Sequence, residues 1–171
     1  MNTTIRHAAD ADADLVAGIV SRAFADVALR FSLTRENCPK HPSNCTVDWV
    51  RQDQKRGVAY FIAEQDGWPS GCVAMETASA TTCYLERLAV LPDRRERGIG
   101  RALVNHVIQS AQAAGAHCVS LSIIAKHIQL REWYRGIGFR AGATKRFSHL
   151  PFEVLFMEME INGPPTRGLS Q

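Results

Sequence analysis

No stretch of the chain reaches the ~18 uninterrupted apolar residues of a membrane-spanning helix, which argues against a helical membrane protein. Met-Asn-Thr-Thr-Ile-Arg has no apolar core, so no signal peptide is expected. The five cysteines are odd in number and scattered, with no paired C-x-x-C spacing. The expectation is reduced thiols in a cytoplasmic protein, in which the sequon Asn44-Cys-Thr46 carries no meaning. Cys38, His41 and Cys45 have metal-ligand spacing but lack a second pair, so no metal is expected. Lys and Arg exceed Asp and Glu by only 20 to 17, and the cations form no stripe with interleaved aromatics. That weighs against nucleic acid as a partner. No Gly-Lys-Ser/Thr and no G-x-G-x-x-G occurs, so neither a P-loop nor a dinucleotide fingerprint is present.

What the chain does have is an ordinary globular balance, 46% hydrophobic and 22% charged over 171 residues, which suits one domain. Thr3 to His7 reads as a strand. Asp10, Asp12 and Asp14 mark the start of an amphipathic helix carrying Leu15, Val16, Ile19, Val20, Ala23, Phe24 and Val27 and ending near Leu29. Arg30 to Cys45 shows no period and reads as a long loop. Thr46 caps a second helix, which Gly57 stops. Strands follow over Val58–Glu64, Gly71–Thr77 and Thr82–Leu91, with Gln65–Pro69 as a turn. A helix starts at Gly98 and ends at Gly115. His117–Ile124 is a strand, His127–Arg135 a helix with Leu130, Trp133 and Tyr134 inward, and Phe139–Phe147 with Phe152–Ile161 a closing hairpin. Residues 1–161 thus form one expected domain, and 162–171 an expected disordered tail. The class is mixed α/β.

The chemistry gathers around Leu88-Ala-Val-Leu-Pro-Asp-Arg-Arg-Glu-Arg-Gly-Ile-Gly-Arg-Ala-Leu103. An apolar strand breaks at Pro92, turns basic and enters a helix through Gly98-Ile99-Gly100. The first four N–H groups of a helix have no partner within it, and the macrodipole adds positive potential there. Amides of Glu96, Arg97, Gly98, Ile99, Gly100 and Arg101, with the side chains of Arg95, Arg97 and Arg101, suit a pyrophosphate.

Arg95-x-x-Gly98-x-Gly100 after Leu-Ala-Val-Leu-Pro resembles the acetyl-CoA pyrophosphate loop of the GCN5-related N-acetyltransferase (GNAT) family. Tyr134-Arg-Gly-Ile-Gly138-Phe139 resembles the Y-x-x-x-G-F segment that closes the same site, and the element order over residues 3–161 is similar to that family's. The resemblance implies a GNAT fold with a mostly antiparallel, splayed sheet flanked by helices. It implies acetyl-CoA as cosubstrate and direct transfer of the acetyl group to a primary amine. The sequence leaves the oligomeric state open, a homodimer included. It assigns Tyr134 to the thioester sulfur as proton donor, and the backbone of Leu88, Ala89 and Val90 to the pantetheine amides. His127 stands where the family commonly has Asn.

Tyr84, Glu86 and Leu88 share a strand face by alternation, and Glu86 is the candidate base; an ion pair with a nearby arginine is its alternative role. His41 in the long loop, with His149 and Glu153 at the hairpin turn, are the candidates for binding the acceptor, expected to be a small-molecule amine. A non-catalytic acyl-CoA-binding protein, or acetylation of a protein or peptide amine, are the rival readings. Both chemical candidates, Glu86 and Tyr134, favour the enzyme.

Overall fold

The computed structural model describes residues 1–161; the expected tail at 162–171 lies outside the described residues. Strands β1 (Thr3–His7), β2 (Ala59–Gln65), β3 (Trp68–Thr77), β4 (Thr82–Val90), β5 (Cys118–Ile124), β6 (Arg140–Arg146) and β7 (Glu153–Glu160) form one sheet in the order β1-β2-β3-β4-β5-β7-β6. Every neighbouring pair is antiparallel except β4–β5. That parallel pair holds only over Thr82–Tyr84 against Cys118–Ser120, after which the two strands part.

Four helices cover the sheet: α1 (Ala13–Arg30), α2 (Val47–Lys55), α3 (Ile99–Ala113) and α4 (Ile128–Ile137). Strand alternation divides the core by face. Tyr60, Ile62, Cys72 and Ala74 pack with Val16, Ile19, Val20 and Val50 of α1 and α2. Phe61, Ala63, Val73 and Leu85 pack with Leu103, Val104 and Val107 of α3 and with Tyr134 of α4. A smaller cluster joins Leu33 and Cys38 to Ile124, flanked by Leu150 and Phe152. The long loop is therefore ordered around buried side chains and includes a 3-10 turn over Pro42–Asn44.

Local chemistry explains most boundaries. Thr46 Oγ1 accepts from the Trp49 amide at 3.4 Å and caps α2, as its position implies. Asp12 instead accepts from the Ala9 amide at 2.8 Å and pairs with Arg6, so a 3-10 turn over Asp10–Asp12 precedes α1. The turn at Gln65–Pro69 is tighter than expected. Asp66 and Gly67 both have positive φ, 52° and 83°, the backbone of a two-residue hairpin, and Trp68 and Pro69 already belong to β3.

One irregularity decides the site. Cys72 pairs with Ala89 but Ala74 with Glu86, so Arg87 and Leu88 together oppose Val73. Arg87 has φ 49°, left-handed for a residue with a Cβ, a strain of about 1–3 kcal/mol. The bulge reverses the alternation. Cys83 and Leu85 face the α3 side, and so do Leu88 and Val90, while Ala89 and Leu91 face α1. Leu88 therefore does not share a face with Tyr84 and Glu86; the extra residue at the bulge moves it to the other.

Candidate active site

Where β4 and β5 part, a cavity of about 1230 Å³ opens between the helical layers. It is walled by β4 from Tyr84 to Val90, by β5 from Ser120 to Ile124, by the start of α3, by α4 and by the end of α1. The wedge leaves the facing edges of Leu85–Val90 and Leu121–Ile124 without a strand partner. Backbone N–H and C=O groups are obligatory hydrogen-bonding groups, so this edge suits a ligand that carries amides.

At one end lies the α3 N-terminus. Gly98 has φ 78°, and a Cβ built on it would meet no atom within 4 Å. Space for a ligand is therefore kept at that residue, and its backbone conformation also disfavours a side chain. Gly100 is packed instead: a Cβ there would stand 3.4 Å from the Trp133 ring. Trp133, expected inward, is 37% exposed and stands over the helix start with its edge toward Tyr134. Leu88, Ala89, Val90, Glu96, Gly98, Ile99, Gly100 and Arg101 line the cavity together with Glu86, His127 and Tyr134. An anionic cosubstrate fits this cradle of free amides, positive dipole end and open glycine.

The arginines divide differently from the sequence expectation. Arg95 reaches the cavity wall, but its guanidinium is committed to α1: it pairs with Asp26, donates to the Ala23 carbonyl at 2.8 Å and to the Val90 carbonyl at 3.2 Å. It works as a brace between the loop and α1, and not as an open anion ligand. Arg97 is not part of the lining, and its nearest polar partner is Gln65 Oε1 at 3.5 Å. Arg101 lines the cavity with no carboxylate partner among the described residues. Arg94 also lines the cavity, half-buried and paired with the adjoining Asp93 at 3.6 Å; the motif did not mark it although it stands in the same basic run. Arg30 on α1 adds a third cation, which no local pattern marked.

Tyr134 is buried between Trp133 and Phe139, with ring centroids at 5.0 and 5.5 Å. Its hydroxyl makes no hydrogen bond among the described residues, and burial pushes its pKa up, so the phenol keeps its proton at neutral pH. His127 caps α4: its Nδ1 accepts from the Leu130 amide at 3.4 Å, which puts the ring proton on Nε2. Burial, and then Arg30, pull its pKa down, so the ring is neutral and a donor.

Glu86 sits half-buried on the opposite wall. It forms no ion pair among the described residues, against its alternative reading as an arginine partner. Burial pushes its pKa up, Glu76 pushes it further, and Arg87 opposes them. Behind it stands a network without a motif in the sequence. Arg87 donates to Asp53 and to the Tyr60 oxygen, and the Tyr60 hydroxyl donates to Asp53 Oδ2 at 2.6 Å.

His41 is buried on the same side, its Nδ1 2.8 Å from Ser43 Oγ and its ring edge-on to Phe24. It lines the cavity, whereas His149 and Glu153 do not. Glu153 stands opposite Arg146 in the β6–β7 register and pairs with it at 3.2 Å, and His149 packs beside Phe147. The hairpin instead contributes Leu150, Phe152, Val154 and Phe156. Along β7, Val154 and Phe156 face the cavity while Leu155 and Met157 join the core on the other face, the face Glu153 shares by alternation, so no hairpin carboxylate is offered to the acceptor.

Among the described residues there is no group of three or more metal-ligating side chains, and no helix is long and apolar enough to cross a membrane.

Comparison with known proteins bears on the fold and the family. The fold matches the ribosomal-protein-S18-alanine N-acetyltransferase of Escherichia coli with TM-score 0.76 at 19% identity, covering 99% of this chain and 100% of that one. It matches yncA of Salmonella typhimurium, a structure with acetyl-CoA, with TM-score 0.69 at 19% identity over 98% and 99% of the two chains. An uncharacterized N-acetyltransferase of Methanocaldococcus jannaschii is 30% identical over 53% of this chain and 42% of its own length. A second, from Schizosaccharomyces pombe, is 26% identical over 62% of this chain and 65% of its own. The chain thus aligns with less than two thirds of either curated relative. The description of the acetyltransferase (GNAT) family matches residues 27–139, two thirds of the sequence and the whole of the wedge, cradle and Tyr134 segment, and the chain belongs to that family.

Proposed function

We propose that the protein is an acetyl-CoA-dependent N-acetyltransferase that passes the acetyl group directly to a primary amine. The observation that supports this most is the wedge itself. It puts an unpaired backbone edge, a helix-start cradle, a buried phenol and an unpaired carboxylate around one cavity. Acetyl-CoA, when bound, supplies an acetyl thioester. In this reading the α3 amides and Arg101 hold the pyrophosphate, and the β4 edge at Leu88–Val90 orders the pantetheine arm. His127 donates to that arm through Nε2. Glu86 takes a proton from the acceptor ammonium, which its raised pKa suits better than an ordinary carboxylate. Tyr134 returns a proton to the departing thiolate. Holding both reactants in one cleft supplies much of the rate.

The acceptor we infer is a small-molecule amine. The acceptor side is roofed by ordered chain, with Leu33 and Cys38 packed on Ile124 beside Leu150 and Phe152, and His41 is buried beneath it. A protein tail would need an open groove there. Mixing the protein with acetyl-CoA and a panel of free amines and short peptides tests both parts. Thiol release only with peptides would overturn the small-molecule reading and keep the enzyme.

A further inference from the structure

The reaction as read above uses Glu86 and the β4 backbone, but not the charged cluster behind them. Asp53 at the end of α2 and Tyr60 on β2 are 8% and 0% exposed. The Arg87 guanidinium reaches them from the bulge and also lies over the Trp49 ring, 5.6 Å from its centroid. Arg56 closes the far side, donating to Asp53 Oδ1 and to Glu76 Oε1, each at 2.8 Å. One carboxylate thus ties α2, β2 and β4 together, and Arg56 extends the tie to β3. A buried charge persists only where it is paired, and here the pairing coincides with an arginine in a backbone conformation that glycine adopts more readily.

We propose that Asp53 and Tyr60 are positioning residues that hold the β4 bulge by anchoring Arg87, and so fix where the Glu86 carboxylate and the Leu88 backbone stand in the wedge. Without the anchor, Arg87 has no reason to keep its left-handed backbone, and β4 relaxes toward regular alternation. Glu86 and Leu88 then turn relative to each other. The inference rests on the roles given to Glu86 and to the β4 edge above.

The charged groups facing Glu86 allow a test that separates electrostatics from position. They are Glu76 from β3, Asp53 from α2, Arg56 just after it, and the adjoining Arg87. Removing a neighbouring negative charge lowers a carboxyl pKa, and removing a positive one raises it. Carboxyl carbon NMR should therefore show Glu86 titrating lower in Asp53→Asn and higher in Arg87→Met. In the double variant Asp53→Asn/Arg87→Met the opposed effects offset, and no buried charge is left unpaired if a single variant fails to fold. The double variant should still shift the Leu88 amide resonance and weaken acetyl-CoA binding by about tenfold, the size of one well-made hydrogen bond. Tyr60→Phe, which keeps the ion pair, should do the same to a smaller degree. A double variant with wild-type Leu88 resonance and wild-type acetyl-CoA Kd would overturn the anchor. If the wild-type protein itself did not bind acetyl-CoA, the functional reading would fall, while the Leu88 resonance would still decide the anchor.

Discussion

The two ends of the cavity are built from different parts of the chain. The end at α3 is made of backbone: helix amides, the positive-φ Gly98 and the unpaired edge of β4. The other end is made of side chains from distant segments, with His41 and Phe24 on one side and Phe152 and Phe156 on the other. A backbone site depends on where a helix starts and where no Cβ stands, so it tolerates little change and is decided within a dozen consecutive residues. A side-chain site can be rebuilt residue by residue on the same frame. On the function proposed above, the α3 end would serve the cofactor in the family's manner, and the opposite end would be this chain's own for the acceptor.

That contrast predicts a gradient of effects. The largest is at the cradle. Gly98→Val puts a side chain into open ligand space and strains a left-handed backbone, so acetyl-CoA binding should be lost. In a melting scan, the roughly 2.7 kcal/mol that a ligand at ~100 times its Kd contributes should disappear. Retained stabilisation by acetyl-CoA would show that the α3 start is not the cradle.

Next comes Tyr134→Phe. Losing the unbonded Tyr134 phenol should lower kcat by about 10²–10⁴, the range for one acid–base group. The Kd for acetyl-CoA should hardly move, because the ring still packs between Trp133 and Phe139. An unaltered kcat would reduce Tyr134 to packing.

Glu86→Gln acts on the acceptor side and should show itself in pH dependence. In the proposed mechanism the carboxylate is the active form, and burial raises its pKa. Wild-type kcat/KM should therefore fall as pH drops through that raised value, above where an ordinary glutamate titrates. The variant should be slower and lack this acid limb; a limb that survives unchanged would assign it to another group.

The smallest effect expected is at the hairpin. Glu153→Ala breaks one exposed pair with Arg146, worth about 0–1 kcal/mol of stability, and should leave the acceptor KM unchanged. His41→Ala, on the cavity wall, should raise that KM. The reverse pattern would restore the hairpin as the acceptor's carboxylate.

The same contrast explains what could be read from the sequence. Element order, the α2 cap at Thr46 and the α3 start are local, so residue periodicity and glycine placement exposed them, and the Tyr134 segment stood out by its resemblance to the family's Y-x-x-x-G-F. The Arg87 bulge was not legible, because nothing between Glu86 and Leu88 marks an extra residue. The partners that Arg87 meets there, Asp53 and Tyr60, lie 34 and 27 residues away in the chain. Arg95 was read as an anion ligand for the same reason: Asp26, its partner, lies 69 residues away. The face Glu153 takes was not legible either, because the sequence does not say which face of β7 meets the cavity; that is set by Leu155 and Met157 joining the core on the side opposite Val154 and Phe156.

The most direct test of the whole account is to follow free thiol and N-acetylated product together after mixing the protein with acetyl-CoA and a broad set of amines. At least one free amine should yield the two products in equal amounts, and Tyr134→Phe should slow both alike. Tight acetyl-CoA binding with no thiol released by any amine, free or peptidic, would contradict it and leave an acyl-CoA-binding protein on the same fold.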